Sequence, residues 1–143
     1  MVVKKNKPGS FSEWEETVNP TIRNDPLWKF LVYPKALFIY ELAWSDCDYL
    51  LKDERGKTVA RQLIRSVGSI SANIEEGFGR GYGKSYTYYM RIALGETRES
   101  RGWYWRGHNL LPENVVEHRL QLLGEIIALL TTNLQKQRNF KKE

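Results

Sequence analysis

The chain has 143 residues, 41% of them hydrophobic, and a formal net charge of +5, enough for one domain with its own core and no need of disulfide or metal staples. Its one cysteine, Cys47, excludes an internal disulfide, and no C-x-x-C or Cys/His cluster marks a zinc site. The opening MVVKKNKPGS has no apolar run behind its lysines, and runs such as IIALL fall far short of the roughly 20 residues of a spanning helix, so a soluble, cytoplasmic protein without a membrane partner is expected.

Residues 1–24 carry lysines, Pro8, Gly9 and Pro20 without a sustained period, which reads as a tail that is at most partly ordered. From there the pattern is helical. Asp25 before Pro26 is a helix start, with an N-cap and a proline whose missing N–H is harmless in the first turn. The first helix is expected to reach about Leu51, with residues 37, 40, 44, 47 and 51 on its apolar stripe. Pro34 implies a kink or a short separate helix before it. After KDERGK, a second helix is expected over about 57–76, with the stripe Val59, Leu63, Val67, Ile70 and Ile74 and small residues that permit close approach. A third is expected from Lys84 or Ser85 to about Leu111, with Tyr86, Met90, Ala93, Thr97, Ser100 and Tyr104 along one side. Pro112 sets the start of a fourth, whose seam is Val116, Leu120, Leu123, Ile127, Leu130 and Leu134.

No segment alternates as a strand. The expected fold is all-α, an antiparallel up-down-up-down four-helix bundle over residues 25–138, with a frayed tail at 139–143.

Residues 77–85, GFGRGYGKS, invite comparison with phosphate-binding loops. A Walker loop ending in Gly83-Lys84-Ser85 needs glycine at 78, where Phe78 stands, and G-x-G-x-x-G starting at Gly77 needs glycine at Tyr82. Both motifs also follow a strand, whereas SISANIEE reads as helix. The segment is therefore expected to be a hinge, with Gly77 in the left-handed conformation closing the second helix and Ser85 capping the third.

The stretch QLIRSVGSISANIEEGFGR, followed by YMRIALGETRE, resembles the ribosomal RNA intervening-sequence proteins. Their pattern is approximately S-I-x-x-N-I-A-E-G-x-G-R, an aromatic turn, then A-L-G-S-x-x-E. The matching structural positions include Arg65, Asn73, Glu76, Gly77, Gly95 and Glu99; Glu75 and Glu96 depart from it. The resemblance implies a four-helix bundle that assembles as a homopentamer without established catalytic activity. It also implies kinship with accessory proteins of diversity-generating retroelements, which contact a reverse transcriptase and nucleic acid.

The middle of the chain is basic. Between Arg55 and Arg106, ten Lys/Arg face four Glu, compatible with an anionic partner. Lys84, Arg91 and Arg98 are seven apart and Arg101 adds a turn; none has an acid at i±3 or i±4. With Arg80 they are the candidate RNA or DNA contacts, the alternatives being solvent exposure, pairing with acids of other helices, or a subunit contact. Glu75 and Glu76 oppose the helix dipole and call for a cation such as Arg80 or Arg91. Trp103, Tyr104 and Trp105 sweep about 200° of helix, so at least one ring should face outward. A subunit interface is favoured for them over base stacking, while Trp28 and Trp44 are expected in the core or at its rim. Asn73 is expected to tie helices together by its amide. The spacing argues against di-iron chemistry, because neither His108 nor His118 follows a glutamate by three residues.

The expected function is that of a non-catalytic, cofactor-free oligomeric scaffold engaging nucleic acid or a nucleoprotein such as a reverse transcriptase. The alternatives are a purely protein-binding oligomer and a small-molecule-binding bundle.

Overall fold

The computed structural model describes residues 9–81 and 83–142, with side chains through residue 138. It is all-α: α1 Phe11–Thr17, α2 Pro20–Arg23, a 3-10 turn Pro26–Lys29, α3 Val32–Leu50, α4 Glu54–Gly79, α5 Lys84–Arg106 and α6 Glu113–Lys142. No strand occurs among the described residues.

Local chemistry explains each boundary. Asp25 accepts the Leu27 N–H and caps the 3-10 turn, so the segment before Pro34 is a separate short turn. Pro34 then lies in the first turn of α3, where no intrahelical partner is lost. Helix α4 begins three residues before the expected Lys57 because Asp53 accepts the Arg55 N–H at 2.8 Å and acts as N-cap. Helix α5 stops at Arg106 rather than Leu111. Gly107 ends it where a Cβ would meet Leu50 at 3.0 Å and Val59 at 3.2 Å. Within the tail expected over 1–24, residues 1–8 lie outside the described set, but α1 carries Trp14 into the core against Phe38, with 5.1 Å between ring centroids. At the other end, helical backbone continues to Lys142.

Helix α4 packs most extensively against α5, α5 against α6, and α3 against α4, with a smaller contact between α3 and α6. Leu63, Val67, Ile70 and Ile74 of α4 are fully buried, as expected. Of the stripe expected on α3, Cys47 is buried and Leu37 and Tyr40 are half-buried against the core, but Trp44 and Leu51 turn outward. Ala36, Ile39, Ala43 and Leu50 face the core, whereas Trp44 is 64% exposed and Leu51 50% exposed. Trp44 is thus neither core nor rim, while Trp28 is half-buried and donates its indole N–H to Glu15.

The 77–85 hinge also differs in detail. Gly77 does not close α4 in a left-handed conformation. It lies inside the helix, and the positive φ angles belong to Gly81 (88°) and Gly83 (89°). Gly77 is needed for closeness: a Cβ there would lie 2.5 Å from Met90 Cε, 3.1 Å from Tyr89 Cβ and 3.3 Å from the Tyr86 carbonyl oxygen. Ser85 is not the cap of α5 either, because Gly83 occupies that position without a side-chain bond.

Gly77→Ala should therefore lower stability by about 1–3 kcal/mol through overpacking. Gly79→Ala, where a Cβ meets nothing within 4 Å, should be neutral or slightly stabilising. Urea denaturation of both variants against the parent chain checks the contrast; equal midpoints for the two would contradict it.

Candidate nucleic-acid interface

Helix α5 separates its residues sharply by face. Tyr86, Met90, Ala93, Thr97, Ser100 and Tyr104 are buried, and the small Ala93, Thr97 and Ser100 in the middle of the line let α4 approach. Ser100 Oγ donates to Ser66 Oγ at 3.0 Å across that contact. The opposite line, in steps of four and three, carries Lys84, Tyr88, Arg91, Gly95, Arg98 and Trp105, all exposed. Arg101 sits to one side of it, half-buried.

The cations of this line are left without acids. Elsewhere Lys35 pairs with Glu125, Arg55 with Asp53, Lys57 with Glu54, and Arg65 with Glu96 and Glu99. Arg80 reaches Glu76 at 3.6 Å and lies over the Tyr89 ring at 5.5 Å, so it belongs to a local cluster. Among the described residues Lys84, Arg91, Arg98 and Arg101 make no ion pair. From α6, Arg138 joins Arg91 in lining a small cleft with Thr87 and Gln137. The expected cation for the dipole-opposed carboxylates is thus present for Glu76 alone; Glu75 accepts the Tyr33 hydroxyl at 2.7 Å instead. Burial, reinforced by that bond, pushes the Tyr33 phenol well above its ordinary value.

Three of the six family-motif positions, Arg65, Gly77 and Glu99, lie at the α4/α5 seam. Arg65 donates to Glu99 and, at 2.9 Å, to Gln62. Glu99 also accepts the Trp103 indole N–H at 2.9 Å, and the Arg106 guanidinium covers that indole at 4.6 Å. Burial, with the adjacent Glu99 charge, pushes the Glu96 carboxyl up against the pull of Arg65. Asn73 does not join helices as expected: its amide donates to the Ser69 carbonyl, one turn back in its own helix, at 2.7 Å. Gly95 lies on the open face, where a Cβ would meet nothing within 4 Å.

The three consecutive rings separate. Tyr104 is fully buried, which removes it from any surface between subunits. Trp103 is half-buried in the Arg65/Glu99 cluster, and Trp105 is 57% exposed. Trp105 stacks on His108 with centroids 4.2 Å apart and planes 15° from parallel.

Two features lay outside the sequence reading. Asp46 is buried and receives the Tyr104 hydroxyl at 2.8 Å and Arg119 Nε at 2.7 Å on one oxygen, with Arg119 Nη2 at 3.0 Å on the other. Such a pair is expensive to break, about 3–5 kcal/mol when one partner is removed. Only the helical register of Asp46 with Ala36, Ile39, Ala43 and Leu50 of the core side could have hinted at it. The second feature is a groove of about 420 Å³ between α3 and α4, walled by Trp44, Leu51, Arg61 and Ile64. Cys47 lines its floor, and burial with the Asp46 and Asp48 charges pushes this thiol up to about 11, leaving it protonated and poorly nucleophilic at neutral pH. Among the described residues no cluster of His, Cys, Asp and Glu could hold a metal, and no helix is long and apolar enough to cross a membrane.

The model of the 23S rRNA-intervening sequence protein family matches residues 29–132; the chain belongs to that family. A crystal structure of a protein of unknown function from the S23 ribosomal protein family of Bacteroides thetaiotaomicron superposes with a TM-score of 0.68. It shares 23% sequence identity, and the match covers 73% of this chain and 98% of that one, a likeness of fold. No curated protein matches the chain.

The Asp46 cluster generates a pH dependence. Arg119 can only donate, so at 2.7 Å His118 Nδ1 must accept from it. Desolvation, followed by the Arg119 charge, lowers the His118 pKa. The unfolded chain then binds the proton more readily, so stability is level above the unfolded value near 6.5 and falls as pH drops toward the lower folded value. Urea denaturation between about pH 5 and 7 should show this slope, and His118→Gln should flatten it. An unchanged slope in the variant would contradict the assignment.

Proposed function

We propose that this intervening-sequence family protein is a non-catalytic, oligomeric helical scaffold that engages nucleic acid through the outer face of α5. The observation that carries the reading is the row Lys84, Arg91, Arg98, with Arg101 beside it, exposed or half-exposed and without acids among the described residues. A row of uncompensated cations binds phosphates by counterion release. Its helical body is an antiparallel up-down-up-down bundle. Supporting this are contacts running α3 to α4 to α5 to α6 and returning to α3, together with short connections.

Assembly uses a different surface. The exposed Trp44 and Leu51 line the α3/α4 groove, and the half-buried Leu37 and Tyr40 extend the same coiled-coil-like spacing along that side of α3. Helices α3 and α5 meet across the core through Asp46 and Tyr104, so their outer faces point in opposite directions. Copies joined through α3 leave the α5 cations free, and repetition multiplies a weak charge row by avidity. The assembly is the homopentamer implied by the family resemblance, within the cytoplasm.

Two measurements on the full chain test this reading. Arg91→Gln and Arg98→Gln should each weaken RNA binding and reduce the slope of log affinity against log salt by about 1. Arg55→Gln, whose charge Asp53 already holds, should leave it unchanged. Light scattering should give five times the 16.8 kDa protomer mass, falling toward one protomer in Trp44→Glu/Leu51→Glu. Absence of binding at low ionic strength overturns the nucleic-acid role, and a parent chain at protomer mass overturns the assembly.

A further inference from the structure

The cationic row is not a row of charges alone. Tyr88 is 60% exposed and Trp105 57% exposed on the same line as Lys84, Arg91 and Arg98. Neither ring belongs to the hydrophobic core, and more than half of each stays open to solvent. Both are held in fixed poses: Tyr88 stands edge-on to Tyr89 at 5.3 Å and 80°, and one face of Trp105 is covered by His108. Between the cations Gly95 leaves the helix backbone uncovered.

We infer that the outer face of α5 is a track for single-stranded nucleic acid, with Tyr88 and Trp105 as stacking platforms and Lys84, Arg91 and Arg98 as phosphate contacts. This rests on the proposed nucleic-acid role and makes it specific. Tyr88 and Trp105 are 17 residues apart, about 25 Å along the helix, so a short oligonucleotide spans both platforms. In a duplex the bases are already stacked on one another, and exposed rings on a protein surface gain nothing from its phosphates. In a single strand each base has a free π-face, which an aromatic side chain covers with little regard to sequence. Preset ring orientations reduce the ordering cost of that stacking. An acidic polypeptide would satisfy the arginines but leave both rings uncovered.

The test is fluorescence anisotropy of the full chain with a labelled RNA of about 12 nucleotides, single-stranded or annealed to its complement. The single strand should bind more tightly than the duplex. Tyr88→Ala and Trp105→Ala should each weaken single-strand binding about tenfold while leaving duplex binding and the salt slope unchanged. Trp105→Phe, which retains a ring, should recover most of the loss, and unchanged melting curves for these surface variants exclude misfolding. Polyglutamate should compete far less well than unlabelled RNA. Equal affinity for both RNA forms, undiminished binding by the alanine variants, or equal competition by polyglutamate overturns the inference while leaving the cationic face a general anion surface. Failure of either RNA to bind at low salt overturns the inference and the role beneath it together.

Discussion

The close approach of α4 and α5 is the constraint on which the rest of the structure depends. Gly77 admits Met90 and Tyr89, and Ser66 and Ser100 touch through their hydroxyls, so the two backbones meet with few bulky groups between them. That closeness fixes the rotation of α5. Once Ala93, Thr97 and Ser100 face α4, Arg91 and Arg98 point away from it and lie beyond reach of its acids. The same geometry gathers Arg65, Glu96, Glu99 and Trp103 at the edge of the contact. The Arg65, Gly77 and Glu99 part of the family motif and the cationic face are thus two consequences of one packing choice.

A second constraint acts at the far side of the core. Asp46, Tyr104 and Arg119 join three helices through a satisfied polar cluster. A buried ion pair of this kind adds little net stability over an apolar core. It does penalise rotations that would leave the carboxylate alone. Because Tyr104 must reach Asp46, the inner face of α5 is specified near its C-terminal end as firmly as Gly77 specifies it near the start. Trp105, the next residue, is carried to the surface.

Much of this was legible in the sequence. The all-α class, the α4 stripe, the inner line of α5 and the helical context that rules out a phosphate loop follow from periodicity and from motif spacing. The face of α3 was not, for a physical reason: its core side includes two alanines and a paired Asp46, whereas Trp44 and Leu51 face outward. A stripe chosen by apolar spacing therefore centres about one residue off the core face, catching Cys47 but also the outward Trp44 and Leu51. The roles of Gly77, Ser85 and Asn73 depended on distances of closest approach and on local bonds that residue type does not encode. The candidate site was half visible, since spacing aligned Lys84, Arg91 and Arg98. The separation of Tyr104 from Trp105 required the partner across the core.

Ultraviolet crosslinking of the full chain to single-stranded RNA, with adducts located by mass spectrometry, examines the central claim that α5 turns a charged and aromatic face outward to nucleic acid. The account expects adducts on Tyr88 and Trp105 and none on Tyr40 or Trp44 of the opposite face. Adducts confined to the α3/α4 groove would contradict it.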